Sequence, residues 1–244
     1  MKAILITGAS SGIGCAAAQA FLDMGWQVGL LARRASALAD VAGGAENAHV
    51  LVLVADVSDA EQVREAFDLF QHRVGRIDVL FNNAGMFGPS AAIDEVPLDA
   101  WEQVVNVNLH GMFLCAREAF GRMRRQDPKG GRIINNGSIS AHVPREGSVC
   151  YTVTKHAVTG LTRSLSLDGR PFDIACGQID IGNARTDLLE DLVARARAAG
   201  QPEPATMDVE SAVKAVRLMA EMPLSANVQF MTVMATKMPY IGRG

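Results

Sequence analysis

Short apolar runs alternate along this chain with longer stretches in which apolar positions recur every three or four residues. The short runs are Ala3–Thr7, Gln27–Leu31, Val50–Val54, Val79–Asn82, Gly131–Asn135, Ile174–Ile179 and Val228–Val233, and the longer ones lie near 12–24, 58–73, 98–126, 149–168 and 208–221. The first pattern predicts strands and the second amphipathic helices. Consecutive apolar positions within a strand mean that both of its faces are buried, as in a parallel sheet covered by helices. The expectation is therefore an α/β fold, a doubly wound parallel sheet of about seven strands with helices on both faces. Neither an internal repeat nor a Gly- or Pro-rich linker divides the chain, so residues 1–244 read as one domain. Residues 182–207, which include Gly200-Gln201-Pro202-Glu203-Pro204, are the least regular and are expected to form an insertion over one sheet edge.

Composition narrows the partners. A chain of 244 residues can bury a full core, and a formal net charge of −3 suggests neither disorder nor a general affinity for nucleic acid. Cys15, Cys115, Cys150 and Cys176 are scattered, without a C-x-x-C pair or zinc-type histidine spacing, so reduced thiols and no metal are expected. No apolar run approaches the ~20 residues of a membrane span. Ala3–Ile6 already reads as a strand where a signal peptide would lie, and a cytoplasmic protein is expected.

Two constellations carry chemistry. Strand Ala3–Thr7 runs into Gly8-Ala9-Ser10-Ser11-Gly12-Ile13-Gly14, where a helix begins. Glycines in such a turn let a pyrophosphate approach the main chain, and the helix N-terminus offers unpaired N–H groups and partial positive charge. The G-x3-G-x-G spacing is neither G-x-G-x-x-G nor a P-loop, so by itself it reads as a nucleotide site or as an ordinary strand–helix turn. Further on, Ser138, Tyr151 and Lys155 stand as Ser-x12-Tyr-x3-Lys. Residues four apart share a helix face, and an ammonium beside a phenol of pKa ~10 is expected to lower that pKa. Such a tyrosine exchanges a proton with an alcohol or carbonyl, while Ser138, just past a strand end, holds the substrate oxygen.

These motifs together resemble the short-chain dehydrogenase/reductase family in its single-domain form, over nearly the whole chain. Thr7-Gly8-x3-Gly12-x-Gly14 matches its cofactor turn, and Asn82-Asn83-Ala84-Gly85 its second signature. Asn108, Ser138, Tyr151 and Lys155 match its catalytic tetrad. The resemblance implies a Rossmann-type fold and a nicotinamide cofactor held by Gly8, Ser10, Ser11, Gly12, Ile13, Gly14, Asn83, Ala84 and Gly85. It further implies that Lys155 holds the nicotinamide ribose beside Tyr151, and that Asn108 holds a water linking Lys155 to solvent. Asp56 and Val57 match the position at the adenine edge, although Asp56 also suits a helix cap near Ser58. Gly182 and Thr186 match the loop that meets the nicotinamide amide, but Ile181 replaces the family's usual proline.

Cofactor choice is read from the second strand, which ends in Ala32-Arg33-Arg34. An acid there would accept from the ribose hydroxyls and repel a 2′-phosphate; Arg33 and Arg34 instead suit a phosphate, or else open the next helix in solvent. NADP(H) is expected over NAD(H). The substrate, a small carbonyl or alcohol compound, should meet Met86, Phe87, Val143 and Val149 as an apolar wall, along the Ser140–Arg145 segment. His142 reads as a polar contact or a solvent-facing side chain, and Asn183 and Arg185 as substrate contacts or helix caps. The resemblance implies a homodimer or homotetramer built through Trp101–Arg125 and Val149–Leu167. The reading is an NADP(H)-dependent oxidoreductase with Tyr151 as general acid/base; an NAD(H) enzyme of the same family and an idle dinucleotide sensor are the alternatives.

Overall fold

A computed structural model describes residues 1–43, 48–198, 200 and 202–241. The strands are β1 (Ala3–Thr7), β2 (Gln27–Ala32), β3 (Val50–Val54), β4 (Val79–Asn82), β5 (Gly131–Asn136), β6 (Ile174–Ile181) and β7 (Phe230–Val233). They form one parallel sheet in the order β3-β2-β1-β4-β5-β6-β7. The helices are α1 (Gly12–Asp23), α2 (Ala35–Ala42), α3 (Ala60–Val74), α4 (Leu98–Val105), α5 (Met112–Arg125), α6 (Val149–Gly169), α7 (Asp187–Ala198) and α8 (Val209–Glu221).

Strand alternation sorts the apolar residues into two layers. Ile4, Ile6, Leu30, Phe81, Ile134 and Ile179 pack with Phe21 of α1 and Val216 of α8 on one face. Leu5, Leu31, Leu53, Leu80 and Ile133 pack with Phe67 and Phe70 of α3 and with Cys115 and Met123 of α5 on the other. Each such fully buried aliphatic or aromatic side chain contributes about 2 kcal/mol by leaving water. Chain order reverses between β1 and β4, and a crevice opens there at the carboxyl ends of the strands, where doubly wound sheets take their ligands.

Four details refine or depart from the sequence expectation. Helix α2, expected after Arg34 but without bounds, has eight residues, Ala-Ser-Ala-Leu-Ala-Asp-Val-Ala, that bury only Leu38 and Ala42, too few for a clear period, and it stops at Gly43 with φ 71°. The helix expected over 98–126 is interrupted by a π-helical turn over Asn106–Gly111. Strand β7 begins at Phe230 rather than Val228. The segment expected to be irregular holds α7, and its flanks are tied by a bridge between Ala184 and Met207. Within it, Ala199 and Gln201 lie outside the described residues. Ile181, in the place of the family's usual proline, extends β6 by one more pair with Val233 on β7, where the N–H of Gly182 donates to the Val233 carbonyl.

Candidate functional site

The turn after β1 is built for close approach. Gly8 has φ 66°, and a Cβ there would lie 2.9 Å from Ala84 Cα; a Cβ on Gly14 would lie 2.3 Å from the Gly8 carbonyl oxygen. Thr7 staples this turn to the end of β4, its Oγ1 accepting from the N–H groups of Asn83 and Ala84, both at 2.9 Å. Asn83 donates from Nδ2 to the Thr7 carbonyl at 3.0 Å and accepts at Oδ1 from Asn136 at 2.8 Å. Gly8, Ser10, Ser11, Gly12 and Ile13 therefore line one continuous cavity with Asn83, Ala84 and Gly85. Gly14 does not line it; its role is to let α1 lie against the Gly8 carbonyl.

The cavity, of about 410 Å3, runs from Arg33 and Arg34 at one end to Tyr151 at the other. At the first end no carboxylate closes β2. Arg34 precedes α2 and donates to Ser10 Oγ at 3.1 Å, tying the start of that helix to the glycine turn. Arg33, with its side chain 65% exposed, faces Asp56 Oδ2 at 3.7 Å. Asp56 accepts at Oδ1 from the N–H and hydroxyl of Ser58, at 2.9 and 2.7 Å, so it shapes the loop as a cap-like group. The cap of α3 itself is Asp59, which accepts from Glu61 and Gln62. Asp56 and Val57 also line the cavity.

At the other end Ser138, Tyr151 and Lys155 converge, with Ser138 and Lys155 buried and Tyr151 half-buried. Lys155 Nζ donates to the Asn136 carbonyl at 2.7 Å and lies 5.4 Å from the centre of the Tyr151 ring. Burial pushes the Lys155 ammonium down to about 8, opposed by the negative charge of Asp180. Burial likewise raises the Tyr151 phenol; a hydrogen bond with Ser138 and the charge of Arg145 pull it back, and Asp180 adds to the rise. This corrects the expectation of a phenol drawn toward neutrality by Lys155: burial is the largest influence on both groups, and Lys155 is not among the charges that shift the phenol. The phenol is thus protonated across the neutral range. Asn108, fully buried in the π turn, does not line the cavity. Its Oδ1 accepts from the Met86 N–H at 2.8 Å, and its Nδ2 donates to the Met86 carbonyl at 2.9 Å and to Thr154 Oγ1 at 3.3 Å. It positions the loop after β4.

The loop after β6 closes the cavity. Gly182 donates to Val233, and a Cβ on Gly12 would touch Thr186 at 3.3 Å, so residues 174 apart in sequence form one wall. Asn183 lines the cavity but spends Nδ2 on the Ala205 carbonyl at 3.2 Å. Arg185 turns away to Thr206 and Glu190, in keeping with the capping reading. Met86 and Phe87 line the substrate end, Phe87 packing on Tyr151 with ring centres 4.8 Å apart. Val143 and Val149, expected as part of an apolar wall, do not line it; Leu189 and Met238 do. That correction has a simple cause: the loop before α6 presents Arg145, not its valines, to the cavity.

The sequence reading missed a buried polar layer beneath the site. Asn82, Asn135 and Gln178 are neighbours in register across β4, β5 and β6. They are joined through Thr162 and Thr159 of α6. Next to them Asp180, 1% exposed, accepts from the Ser138 N–H at 2.8 Å, from Gln178 Nε2 at 2.7 Å and pairs with His142 Nε2 at 2.7 Å. His142 is therefore a polar contact of a buried carboxylate while its side chain also remains exposed to solvent. The signal was legible in principle, because Gln and Asp inside an otherwise apolar strand must find partners. Among the described residues, no group of three His, Cys, Asp or Glu side chains gathers to hold a metal.

Comparison with known proteins agrees with this geometry. The model of the short chain dehydrogenase family matches residues 2–197. The chain belongs to that family. It is 34% identical over 191 residues to a 3β-hydroxysteroid dehydrogenase of Mediterraneibacter gnavus, covering 78% of this chain and 68% of the relative. It is also 34% identical to a 2-(R)-hydroxypropyl-CoM dehydrogenase of Xanthobacter autotrophicus, covering 78% and 77%. Among solved structures, a short-chain dehydrogenase/reductase from Mycobacterium marinum superposes with a TM-score of 0.83 at 29% identity, covering 95% and 93%. A serine dehydrogenase complexed with NADP+ shares the fold, with a TM-score of 0.89 at 23% identity over 99% and 98% of the chains. This short-chain dehydrogenase is accordingly an oxidoreductase that uses a nicotinamide dinucleotide. The cavity fits such a group: the Gly8–Gly14 cradle has no room for Cβ atoms, and Asn136 Oδ1, beside Lys155, is buried with no partner of its own.

Proposed function

We propose that this short-chain dehydrogenase interconverts a carbonyl and a secondary alcohol with NADP(H), Tyr151 acting as general acid in reduction and general base in oxidation. The observation that carries the reading is that Ser138, Tyr151 and Lys155 line one end of the same cavity that begins at the glycine turn, with Lys155 Nζ 5.4 Å from the centre of the Tyr151 ring. A bound nicotinamide supplies or accepts the hydride. Tyr151 Oη gives its proton to the carbonyl oxygen as negative charge develops there, and the Ser138 hydroxyl donates to the same oxygen. Lys155 holds the cofactor ribose and sets the electrostatic field at the phenol. Proton resupply passes along the Lys155 side, and since the Asn108 side chain is committed to Met86 and Thr154, Asn108 acts there by positioning the loop after β4.

NADP(H) is favoured by the absence of an acid at the end of β2 and by Arg33. Its exposed, 3.7 Å pairing with Asp56 is worth at most about 1 kcal/mol, so a 2′-phosphate competes for it readily. NADPH oxidation by purified enzyme across ketones, aldehydes, quinones and oxo acids tests the activity, with Tyr151→Phe expected to lose turnover while retaining NADPH binding. Arg33→Ala should weaken NADPH binding roughly 10- to 100-fold and NADH binding little. Equal losses for both cofactors would reassign the preference.

A further inference from the structure

Arg145 lies in the loop between Ser138 and α6 and lines the substrate end of the cavity with Ser138, Ser140 and Tyr151. That loop is tied down at three points. His142 is held by Asp180, the Arg145 carbonyl accepts from Ser148 Oγ at 2.7 Å, and the Gly147 carbonyl accepts from Ala91 N–H at 3.2 Å. The Arg145 guanidinium is nonetheless unspent. Its Nε is shielded from solvent without a hydrogen-bond partner, and among the described residues no carboxylate pairs with it. Arg132 and Arg217 also have an Nε shielded without a partner, but the terminal nitrogens of Arg132 reach four acceptors and Arg122 pairs with Asp68 and Glu118, whereas Arg145 lines the cavity with no such partner. A permanently charged, partly desolvated fork of donors without an acceptor is costly, and a planar oxyanion satisfies it best.

We propose that Arg145 is a substrate-binding residue that takes an anionic group, so that the substrate is an oxo acid in reduction or a hydroxy acid in oxidation rather than a neutral ketone or alcohol. This deepens the oxidoreductase reading and rests on it. Asp180 does not compete for the guanidinium, because its two oxygens are already held by Ser138, Gln178 and His142. Arg33 and Arg34 stand at the opposite end of the cavity, which leaves Arg145 to the substrate and not to the adenosine phosphate. The positive charge of Arg145 reaches the Tyr151 phenol, which places the anion near the reacting carbonyl. The rest of that wall, Met86, Phe87, Leu189 and Met238, is apolar and suits a short hydrocarbon body. In the reaction the carbonyl carbon gains the hydride, its oxygen gains the Tyr151 proton, and the anionic group stays unchanged on Arg145.

The test uses the purified enzyme with NADPH and straight-chain oxo acids with the ketone at C2, C3 or C4, each against its methyl ester. The expected kcat/KM ratio of acid to ester is about 30 or more, the fold-change of roughly 2 kcal/mol for a charged hydrogen-bonded pair. Arg145→Gln should bring that ratio to about one, chiefly through KM, and Arg145→Lys should restore part of it. Sulfonate and phosphate analogues of the best acid then distinguish which oxyanion is preferred. Tyr151-dependent turnover in which esters match acids, or a ratio that Arg145→Gln leaves unchanged, overturns the anion assignment while the reductase reading stands. Absence of Tyr151-dependent turnover with any compound counts instead against that reading. In that case calorimetric titration of the oxo acids into the enzyme with NADP+ still decides: equal affinity in wild type and Arg145→Gln overturns the proposal.

Discussion

At Asp180 a single side chain connects the site to the sheet. Its carboxylate receives the Ser138 N–H, pairs with His142 and raises the pKa of both Tyr151 and Lys155. Removing the charge in Asp180→Asn should displace Ser138 and lower kcat on the order of 10- to 100-fold, the cost of a small misplacement of a reacting group. The same substitution should lower the Lys155 pKa further, because burial then acts without the opposing carboxylate. For wild type, kcat/KM for the nicotinamide cofactor reports the unliganded enzyme and, with Lys155 in its proposed role at the ribose, should fall as pH rises through about 8, where Lys155 loses its proton. In Asp180→Asn that alkaline limb should move to lower pH; an unmoved limb would separate Asp180 from Lys155. None of this was readable from spacing. Ser138, Tyr151 and Lys155 announced themselves by their intervals, whereas Asp180 and His142, 38 residues apart, meet only because β6 runs beside β5.

Among the elements, α4, the π turn and α5 read in sequence as one amphipathic helix, because a π turn changes the ladder by one residue without disturbing the apolar face. Its consequence is local: Asn108 points at Met86 and fixes the loop that carries Phe87. Asn108→Ala leaves the Met86 N–H and carbonyl without those partners and should cost about 2 kcal/mol of stability as well as activity. A contrasting case is Arg132, at the opposite end of β5. Buried there, it bonds Asn227 and the carbonyls of Met222, Pro223 and Ala226 just beyond α8. Arg132→Leu should lower stability by about 3 kcal/mol, seen as a lower Tm, while the folded fraction keeps its kcat. Helices α2 and α7 were left without bounds by the sequence, for different reasons. The first is too short to display a period, and the second was obscured by the Gly- and Pro-containing segment that follows it.

For the whole molecule, one surface is left apolar. Phe113, Val153 and Leu167 are exposed on α5 and α6, and Val105, Leu109, Phe113 and Leu161 line a shallow depression between these helices. This is the face through which the family resemblance leads one to expect self-association. Phe113→Glu should therefore shift the protein to a smaller species in light scattering; an unchanged mass would move the interface elsewhere. The alternation of strands and helices, the parallel sheet and the spacing that sets Tyr151 and Lys155 on one helix face were determined by the sequence itself, because burial on both strand faces and fixed intervals on a helix are local properties of the chain. The cofactor end was half legible: the lack of an acid after β2 can be read directly, but the 3.7 Å pairing of Arg33 with Asp56 cannot. What only the tertiary structure decided is the chemistry that depends on shielding from water and on strand order. The upward shift of the Tyr151 phenol, the downward shift of the Lys155 ammonium, the Asp180–His142 pair and the shielded Arg145 Nε all arise when distant segments exclude solvent together. Spacing along a sequence carries no record of that exclusion.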